Sequence, residues 1–523
     1  MTSGRGASSL CEGVRRLYAA GQTDYAMEPI VRYDADGKPV GRMKSGDSII
    51  FCCRRGEREI QLTEAFTDPS FAHFKREEAG PFTFSILTLY HEKFKDLPVA
   101  FAPAKIQSTL AEVLSQAGLR QLHTAESEKF AHVTFFFNGG NNQPFTGEDD
   151  ARIPSPKGIP FDQIPEMHLS QVADTVKNGL AQGYDFIVTN FANGDVIGHT
   201  SNAEAKVKCA EAVDVNLKEV VEAAQKQKYL VLITADHGNL EVLYQEDGSP
   251  HVSHTANLVN FIAIAPDGSP LEVKDGKLGD IAPTILAAMK IVPPAEMCGE
   301  SLIETPHWED RQKVLLIILD GWGIGAADDT NPIHLAHTPY WDHLLATCPW
   351  SRLEAAGSAV GLKSGKAGNS EAGHLNIGAG RIVLQDDMRL DQAMKDGSFY
   401  QNEVFNQILD DTLKKGASLH LIGLLTEKSS HGSIDYPLAI LKMAKDKGYQ
   451  DVYVHLILDG RSTEPGSAPA LLMKLQQAMD NIGLGEMVTA IGRGIALDRD
   501  GNYDKTNKAY NAFTLGKGHH VDG

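Results

Sequence analysis

The sequence predicts an α/β protein of two domains that are built on parallel sheets. Three short apolar segments rich in β-branched residues, Val314–Leu319, Asp185–Thr189 and Tyr229–Thr234, are typical of strands buried on both faces. Helical stretches lie between these segments, and that alternation favours a parallel sheet covered by helices. The 523 residues exceed what one hydrophobic core usually serves, so at least two domains are expected.

Composition limits the classes of function. A net charge of −19 argues against nucleic-acid binding, which needs a basic face, but local arginine clusters still allow a small anionic substrate. The six cysteines show no CxxC spacing, which indicates reduced thiols in a cytosolic protein. We expect no membrane span, because no apolar run reaches about 18 residues, and no signal peptide at the start.

Arginines follow the first predicted strand. Asp47–Cys53 runs directly into Arg54, Arg55 and Arg58. Arginines just beyond a strand can bind phosphate or carboxylate in a fork. A solvated basic turn is the alternative.

The composition changes at residues 100–103, where we expect a domain boundary. Ala104–Gly118 is predicted to be a helix that stops at a glycine, and His132–Phe137 (HVTFFF) a strand. Lys129, just before that strand, is either a phosphate partner or an ordinary surface lysine.

Acidic and imidazole side chains follow the three buried strands. Asp320 comes directly after Val314–Leu319, and Asp236 and His237 come after Tyr229–Thr234. Asp195 and His199 follow Asp185–Thr189, and their spacing of four residues places both on one face of a helical turn. A capping Asp and an incidental His would explain any one of these alone.

These side chains together predict a metal site. Ligands of parallel sheets bind beyond the carboxyl ends of the strands, where all of these residues are expected. The segment His251–Thr255 adds two more histidines. Carboxylates and imidazoles suit Mn²⁺, Zn²⁺ or a similar ion, and there are enough ligands for two.

The glycine-rich stretch Gly365–Arg381 contains Ser370. A serine beside metal ions loses its proton more easily and becomes a nucleophile. The small neighbouring residues leave room for a phosphate. A plain Gly/Ser loop is the alternative.

A second α/β region is predicted beyond residue 385. Its predicted strands are Leu419–Leu425, Val452–Leu458 and Val488–Ile491. The residues that follow them include His431, Arg461, Arg493 and Arg499. Several such residues at strand ends indicate a site for a small phosphorylated acid or sugar.

Taken together, the motifs resemble the cofactor-independent phosphoglycerate mutases of the alkaline phosphatase superfamily. The matching segments are LDGWG (319–323), GNSEAGH (368–374), HLIGLL (420–425), LDGR (458–461), ALDRD (496–500), FFFNGG (135–140), GDVIGHT (194–200) and TADHGN (234–239). The resemblance implies an alkaline-phosphatase-like domain with flanking helices and a second, transferase-like α/β domain.

The resemblance also implies residue roles. Ser370 would take the phosphoryl group from 3-phosphoglycerate and return it to the other hydroxyl, giving 2-phosphoglycerate without 2,3-bisphosphoglycerate. Lys129 would lie close to that group. One metal would have the ligands Asp320, Ser370, Asp236 and His237, and the other Asp195, His199 and His254. His254 is favoured over His251 because SHTAN resembles the His-Thr of the family. The residues implied to hold glycerate and its phosphate are His431, Arg461, Arg493, Arg499, Arg55 and Arg58.

The implied cofactors are two divalent ions, most simply Mn²⁺, with Co²⁺ or Zn²⁺ as alternatives. The implied partner is the small-molecule substrate alone, with no nucleic acid and no membrane, in a cytoplasmic monomer.

Two features depart from the family pattern. Ser462 stands where the motif usually has an acidic residue, and serine does not titrate near neutral pH. The order also differs, because the family begins near LDGWG and ends soon after TADHGN. We therefore expect a circular permutation, with domains at 104–384 and at 12–103 plus 385–523. The usual termini would be joined through Glu304–Gln312, and Gly523 would lie near the helix around Glu12.

Two alternative functions fit parts of the same sequence pattern. Another enzyme of the superfamily, such as a phosphopentomutase or a metal phosphatase, would share the metal residues but not the second-domain set. A non-catalytic binder of phosphorylated acids would retain binding without turnover.

Overall fold

The computed structural model describes residues 5–54, 58–77, 80–103, 105–304, 308–427, 429 and 431–522. The chain divides into two compact units. The split unit consists of Met1–Pro103 with Arg389–Gly523, and the continuous unit is Ala104–Met388. Each contains one eight-stranded sheet.

The strands of the two sheets are β1 Ile30–Tyr33, β2 Ser48–Phe51, β3 Thr83–Thr88, β4 Val99–Phe101, β5 Gln121–Glu126, β6 Glu148–Ile153, β7 Phe186–Phe191, β8 Leu230–Thr234, β9 Val259–Ile264, β10 Gly276–Lys277, β11 Val314–Leu319, β12 Trp350–Glu354, β13 Leu419–Leu425, β14 Tyr453–Leu458, β15 Glu486–Gly492 and β16 His519–Asp522.

The α-helices are α1 Ala7–Ala19, α2 Ile60–Thr67, α3 Leu110–Gln116, α4 Leu169–Gln182, α5 Asn193–Gly198, α6 Ala203–Lys226, α7 Ile281–Ala288, α8 Pro332–Leu335, α9 Pro339–Thr347, α10 Ser370–Ala379, α11 Asp386–Asp396, α12 Glu403–Lys415, α13 Asp435–Asp446, α14 Ala468–Ile482, α15 Arg493–Ala496 and α16 Tyr503–Leu515. None of the described helices combines the length and apolar character that crossing a bilayer requires.

The sheet of the continuous unit has the order β10-β12-β9-β8-β11-β7-β5-β6. The five strands from β8 to β6 run parallel. Leu316 in the central strand β11 pairs with Val188 of β7 and with Leu232 of β8. Every residue of β11 is buried, as the uninterrupted apolar run requires. The carboxyl ends of β5, β7, β8 and β11 therefore meet at one edge.

The sheet of the split unit has the order β16-β1-β15-β14-β13-β2-β3-β4. The strands from β15 to β4 are parallel, so the carboxyl ends of β2, β13, β14 and β15 also share an edge. Strand β1 is antiparallel to β15 and parallel to β16. Arg16 of α1 donates from Nη2 to the carbonyl oxygen of His520 at 2.7 Å, so α1 and β16 are neighbours. Gly523 itself lies outside the described residues.

The predicted fold class is confirmed, and the predicted strands that precede the acidic and imidazole residues are present. The predicted strand at His132–Phe137 is wrong, because His132–Phe136 forms a π-helical turn. Aromatic and β-branched composition favoured a strand, but Val133 and Phe137 are the residues of this segment that are buried. Their spacing of four is that of a helical turn.

The predicted helix at Ala104–Gly118 begins later than expected. It starts at Leu110, with Thr109 as its N-cap. Ser108 has a positive φ of 59°, a conformation that cannot continue a right-handed helix and explains the later start at Leu110.

Candidate metal centre

The side chains predicted to bind metal converge at the carboxyl edge of the continuous unit's sheet. Asp320 follows β11, Asp236 and His237 follow β8, and Asp195 lies in α5, which follows β7. Gly321 allows these segments to pack closely, because its φ is +71° and a Cβ there would lie 2.7 Å from the backbone nitrogen of Asp195.

Lys129 lies among these side chains and is buried. Its Nζ donates to Asp195 Oδ2 at 2.6 Å, to Asp320 Oδ1 at 2.9 Å and to Ser370 Oγ at 2.7 Å. All three protons of the ammonium group are therefore used. Burial opposes the charged form, but Asp320 and Asp195 raise the pKa of Lys129 above its ordinary value.

Ser370 is the first residue of α10 and is held at the helix N-terminus. Asn369 caps the helix by accepting a hydrogen bond from the backbone of Ala372 at 2.9 Å. Ser370 Oγ lies 2.9 Å from His237 Nε2 and donates to Asp320 Oδ1 at 3.3 Å. A helix N-terminus favours negative charge, so the surroundings suit a serine that carries a phosphoryl group.

Three histidines present the same ring nitrogen to the site. The Nδ1 atoms of His237, His199 and His254 face the carbonyl oxygens of Gly238 (3.1 Å), Val252 (2.9 Å) and Gly368 (2.9 Å). A carbonyl only accepts, so each Nδ1 carries a proton and each Nε2 points inward. Tethering of this kind is typical of metal-binding histidines.

The inward nitrogen atoms converge on Asp195. Asp195 Oδ1 lies 3.2 Å from His199 Nε2 and 3.0 Å from His254 Nε2. These two nitrogens are themselves 3.1 Å apart. Although burial opposes it, the charge of Lys129 lowers the pKa of Asp195. Burial and the nearby charge of Asp236 raise the pKa of Asp320.

This arrangement fits a divalent cation. Asp195, His237 and His254 form one group of ligand atoms that all lie within 4.8 Å of one another, and Asp236, His237 and Asp320 form a second. Three buried carboxylates face one lysine, so a cation would relieve their mutual repulsion. Carboxylate and imidazole donors are those that Mn²⁺, Zn²⁺ and Co²⁺ accept.

Three polar residues that the sequence analysis did not single out support the cluster. Asn190 donates to Asp320 Oδ2 at 2.6 Å, Asn239 donates to Asp195 Oδ1 at 2.9 Å, and His374 Nδ1 lies 3.3 Å from Asp236 Oδ2. Asn239 and His374 stand inside TADHGN and GNSEAGH, so the motifs contained the signal. His251 is not part of the cluster, and its carbonyl accepts from Lys206 at 2.6 Å.

The split unit gathers some of the predicted substrate-binding residues at its own carboxyl edge. Arg493 is buried and pairs with Asp459, which is buried as well. Arg58 is also buried and donates to the carbonyl of Leu497 at 3.1 Å. Arg461 and Arg499 are exposed, and Arg55 lies outside the described residues.

A carboxylate that the sequence did not reveal lies at the same edge. Glu59 is fully buried, and its Oε1 lies 3.2 Å from His431 Nδ1. Its Oε2 has no hydrogen-bond partner among the described residues. Burial raises the pKa of Glu59, and the neighbouring His431 and Arg493 oppose that rise. Ser462, by contrast, contacts the hydroxyl of Ser429 at 3.4 Å.

Comparison with known proteins agrees with this site. A family model described as the Metalloenzyme superfamily matches residues 29–293, just over half of the chain. The protein therefore belongs to the metalloenzyme superfamily. A second model, described as the N-terminus of BPG-independent PGAM, matches residues 390–522 and thus lies after the first match in this chain.

Two relatives show the similarity. The 2,3-bisphosphoglycerate-independent phosphoglycerate mutase of Moorella thermoacetica is 44% identical over 301 residues, which cover 57% of this chain and 58% of the relative. That of Salinibacter ruber is 46% identical over 310 residues, covering 58% and 59%. The chain thus spans less than two thirds of the length of the curated relatives it matches.

A crystal structure of Leishmania mexicana phosphoglycerate mutase at low cobalt concentration is 26% identical to this chain. It covers 52% of this chain and 53% of its own, with a TM-score of 0.40.

Proposed function

We propose that this protein interconverts 3-phosphoglycerate and 2-phosphoglycerate without 2,3-bisphosphoglycerate, through a phosphoserine at Ser370. The observation that carries the proposal is the position of Ser370 Oγ, 2.7 Å from Lys129 Nζ and 2.9 Å from His237 Nε2. The reaction is inferred from the names of the relatives, and the side chains around Ser370 suit phosphoryl transfer.

In this proposal the continuous unit performs phosphoryl transfer. Asp320 Oδ1 accepts the hydrogen bond of Ser370 at 3.3 Å, and His237 Nε2 lies 2.9 Å from the same hydroxyl, so these two atoms are the acceptors beside its proton. The charge of Lys129 and the N-terminus of α10 offset the negative charge of the transferring group. Two divalent ions, most simply Mn²⁺, would lower the pKa of the serine hydroxyl and neutralise phosphoryl oxygens. The first would be held by Asp320, Ser370, Asp236 and His237, the second by Asp195, His199 and His254.

The split unit binds glycerate in this proposal. His431, Arg58 and Arg493 follow the parallel strands β13, β2 and β15 of one sheet. Guanidinium groups bind carboxylate and phosphate in a fork. Arg461, Arg499 and Arg55 belong to the same proposed set. The bound glycerate turns so that its other hydroxyl receives the phosphoryl group.

We propose that the pair of His431 and Glu59 takes up the proton that this hydroxyl loses. Ser462 offers no titratable group where the family has a carboxylate. Glu59 is a carboxylate at the same edge whose raised pKa suits proton exchange closer to neutral pH than an ordinary glutamate. In this proposal His431 lies between Glu59 and the bound glycerate.

We also propose that the chain is a circular permutation of its relatives, with domains at 104–384 and at 12–103 plus 385–523. The order of the two family matches supports this, since the part described as N-terminal comes second. A chain reordered to begin at Trp308, with the present ends joined by a flexible linker, is expected to fold and keep activity. An insoluble or inactive reordered chain would argue against the permutation.

The remaining parts of the proposal are a cytoplasmic location, a monomeric state and a small-molecule substrate without nucleic-acid or membrane partners. The net charge of −19 supports the absence of a nucleic-acid partner.

The test is conversion of 3-phosphoglycerate followed by phosphorus NMR without added 2,3-bisphosphoglycerate. Activity that EDTA removes and Mn²⁺ restores is expected, together with an acid-quenched phosphopeptide that contains Ser370. S370A should lose both, whereas S364A, at an exposed position just before the glycine-rich stretch, should keep both. Release of inorganic phosphate without 2-phosphoglycerate would instead indicate a phosphatase. Substrate binding without turnover would indicate a binder.

A further inference from the structure

Glu241 is a buried carboxylate that none of the proposed metal or substrate roles uses. It lies 1% exposed, just after the turn that carries Asp236 and His237. Its Oε2 accepts from the backbone nitrogen of Asn239 at 2.7 Å and from that of Gly323 at 3.1 Å. Its Oε1 accepts from Thr255 Oγ1 and, at 2.9 Å, from Asn257 Nδ2.

These four donors belong to three segments that each carry proposed metal ligands. Asn239 follows His237 by two residues, Gly323 follows Asp320 by three, and Thr255 adjoins His254. A carboxylate has about four acceptor positions, so Glu241 uses all of them on these segments.

The neighbouring glycines show that the backbone is fitted to this carboxylate. A Cβ at Gly323 would lie 2.4 Å from Glu241 Oε1, and a Cβ at Gly238 would lie at the same distance from that atom. A side chain at either position would therefore push the carboxylate out of place.

We propose that Glu241 is a positioning residue that fastens these three segments to one another and so sets the spacing of the metal ligands. It contacts neither metal nor substrate in this role. The proposal rests on the metal sites of the proposed function, and it deepens them by naming the group that holds the ligands in register.

The test is direct titration of the metal-free protein with Mn²⁺, measured by calorimetry without phosphoglycerate. E241Q keeps the size of the side chain but replaces two acceptor positions by an NH₂ group. We expect its Kd for Mn²⁺ to rise about 10- to 100-fold, the usual effect of losing a group that orients metal ligands. E246Q removes an exposed carboxylate five residues along the chain and should bind Mn²⁺ like the wild type.

A second variant and a second readout separate positioning from general stability. T255V removes one donor to Glu241 and should weaken Mn²⁺ binding in the same direction, by less than E241Q. The kcat of E241Q should recover at saturating Mn²⁺, and the circular dichroism of the metal-free variant should match that of the wild type, which a loss of folded protein would not permit.

Equal Kd values for the wild type and E241Q would overturn the role of Glu241 alone. A wild type that binds Mn²⁺ without isomerising 3-phosphoglycerate would overturn the proposed reaction alone. A wild type that binds no Mn²⁺ would overturn both.

Discussion

Lys129 Nζ donates to Ser370 Oγ at 2.7 Å across 241 residues of sequence, and both residues are buried. The same ammonium group contacts Asp195 and Asp320. One lysine thus links the proposed nucleophile to two proposed metal ligands, one for each ion.

Replacing this lysine tests its electrostatic role. K129M keeps most of the length of the side chain and removes the charge, so kcat is expected to fall about 10²- to 10³-fold, as when one preorganised donor is lost. Steady-state assays of mutase activity measure the effect, and circular dichroism checks the fold. K208M alters an exposed lysine of α6 and serves as the control. A K129M enzyme as active as K208M would refute the role.

Removal of metal should destabilise the protein. Without a metal ion, the carboxylates of Asp195, Asp236 and Asp320 repel one another around Lys129. Mn²⁺ at about 100 times its Kd would add about 2.7 kcal/mol to stability. We expect EDTA to lower the melting temperature by several degrees in calorimetry and Mn²⁺ to restore it. An unchanged melting temperature in EDTA would contradict the metal site.

Buried histidines should make the protein sensitive to acid. His455 is fully buried, and its ring nitrogens lie 3.0 Å from Thr489 Oγ1 and 3.0 Å from His420 Nδ1. Burial lowers the pKa of His455 well below the ordinary value. Below about pH 6.5 the unfolded chain takes up a proton that folded His455 refuses. Stability from this residue is therefore fully present above that pH and is lost as the pH falls, by about 1.4 kcal/mol per pH unit.

Urea unfolding of H455Q at pH 7 and pH 5 measures the loss of stability that His455 causes at low pH. The variant should lose less stability between the two values than the wild type. H519Q, which alters an exposed histidine of β16 in the same unit, should show the wild-type dependence. Identical dependence in H455Q and H519Q would show that His455 does not control it.

The buried pair of Arg493 and Asp459 allows binding to be separated from stability. R493M leaves Asp459 charged and buried, which should lower the free energy of unfolding by about 3–5 kcal/mol. Adding D459L removes that charge and should recover part of the loss. If Arg493 binds substrate, the double variant remains inactive although it is stable. An active double variant would assign Arg493 a structural role alone.

The pair of Glu59 and His431 makes a prediction about the pH profile. E59Q removes the carboxylate but keeps a hydrogen-bond acceptor for His431 Nδ1. We expect kcat to fall more than tenfold, the usual size of a proton-transfer contribution, and one limb of the pH–rate profile to move, while the KM for 3-phosphoglycerate changes little. E64Q, at a partly exposed position in α2, is the control. A profile for E59Q that matches the wild type would exclude the assignment.

The sequence by itself determined the fold class, the three buried strands beside the proposed metal site and the residues that follow them. Continuous apolar runs such as Val314–Leu319 leave little choice but a strand buried on both faces, and parallel strands bring their carboxyl ends together. The convergence of Asp320, Asp236 and His237 therefore followed from local pattern and chain order. Motif spacing also placed Asp195 and His199 on one helical turn.

Other features were decided by tertiary structure. Residues His132–Phe136 have strand-like composition but form a π-helical turn, because packing buries Val133 and Phe137 on one side of it. Glu59 and Glu241 carry no local signal, since nothing in sequence tells a buried glutamate with distant partners from one in solvent. Their partners lie 372 and 82 residues away, at His431 and Gly323, and only the folded chain brings such groups within hydrogen-bond distance.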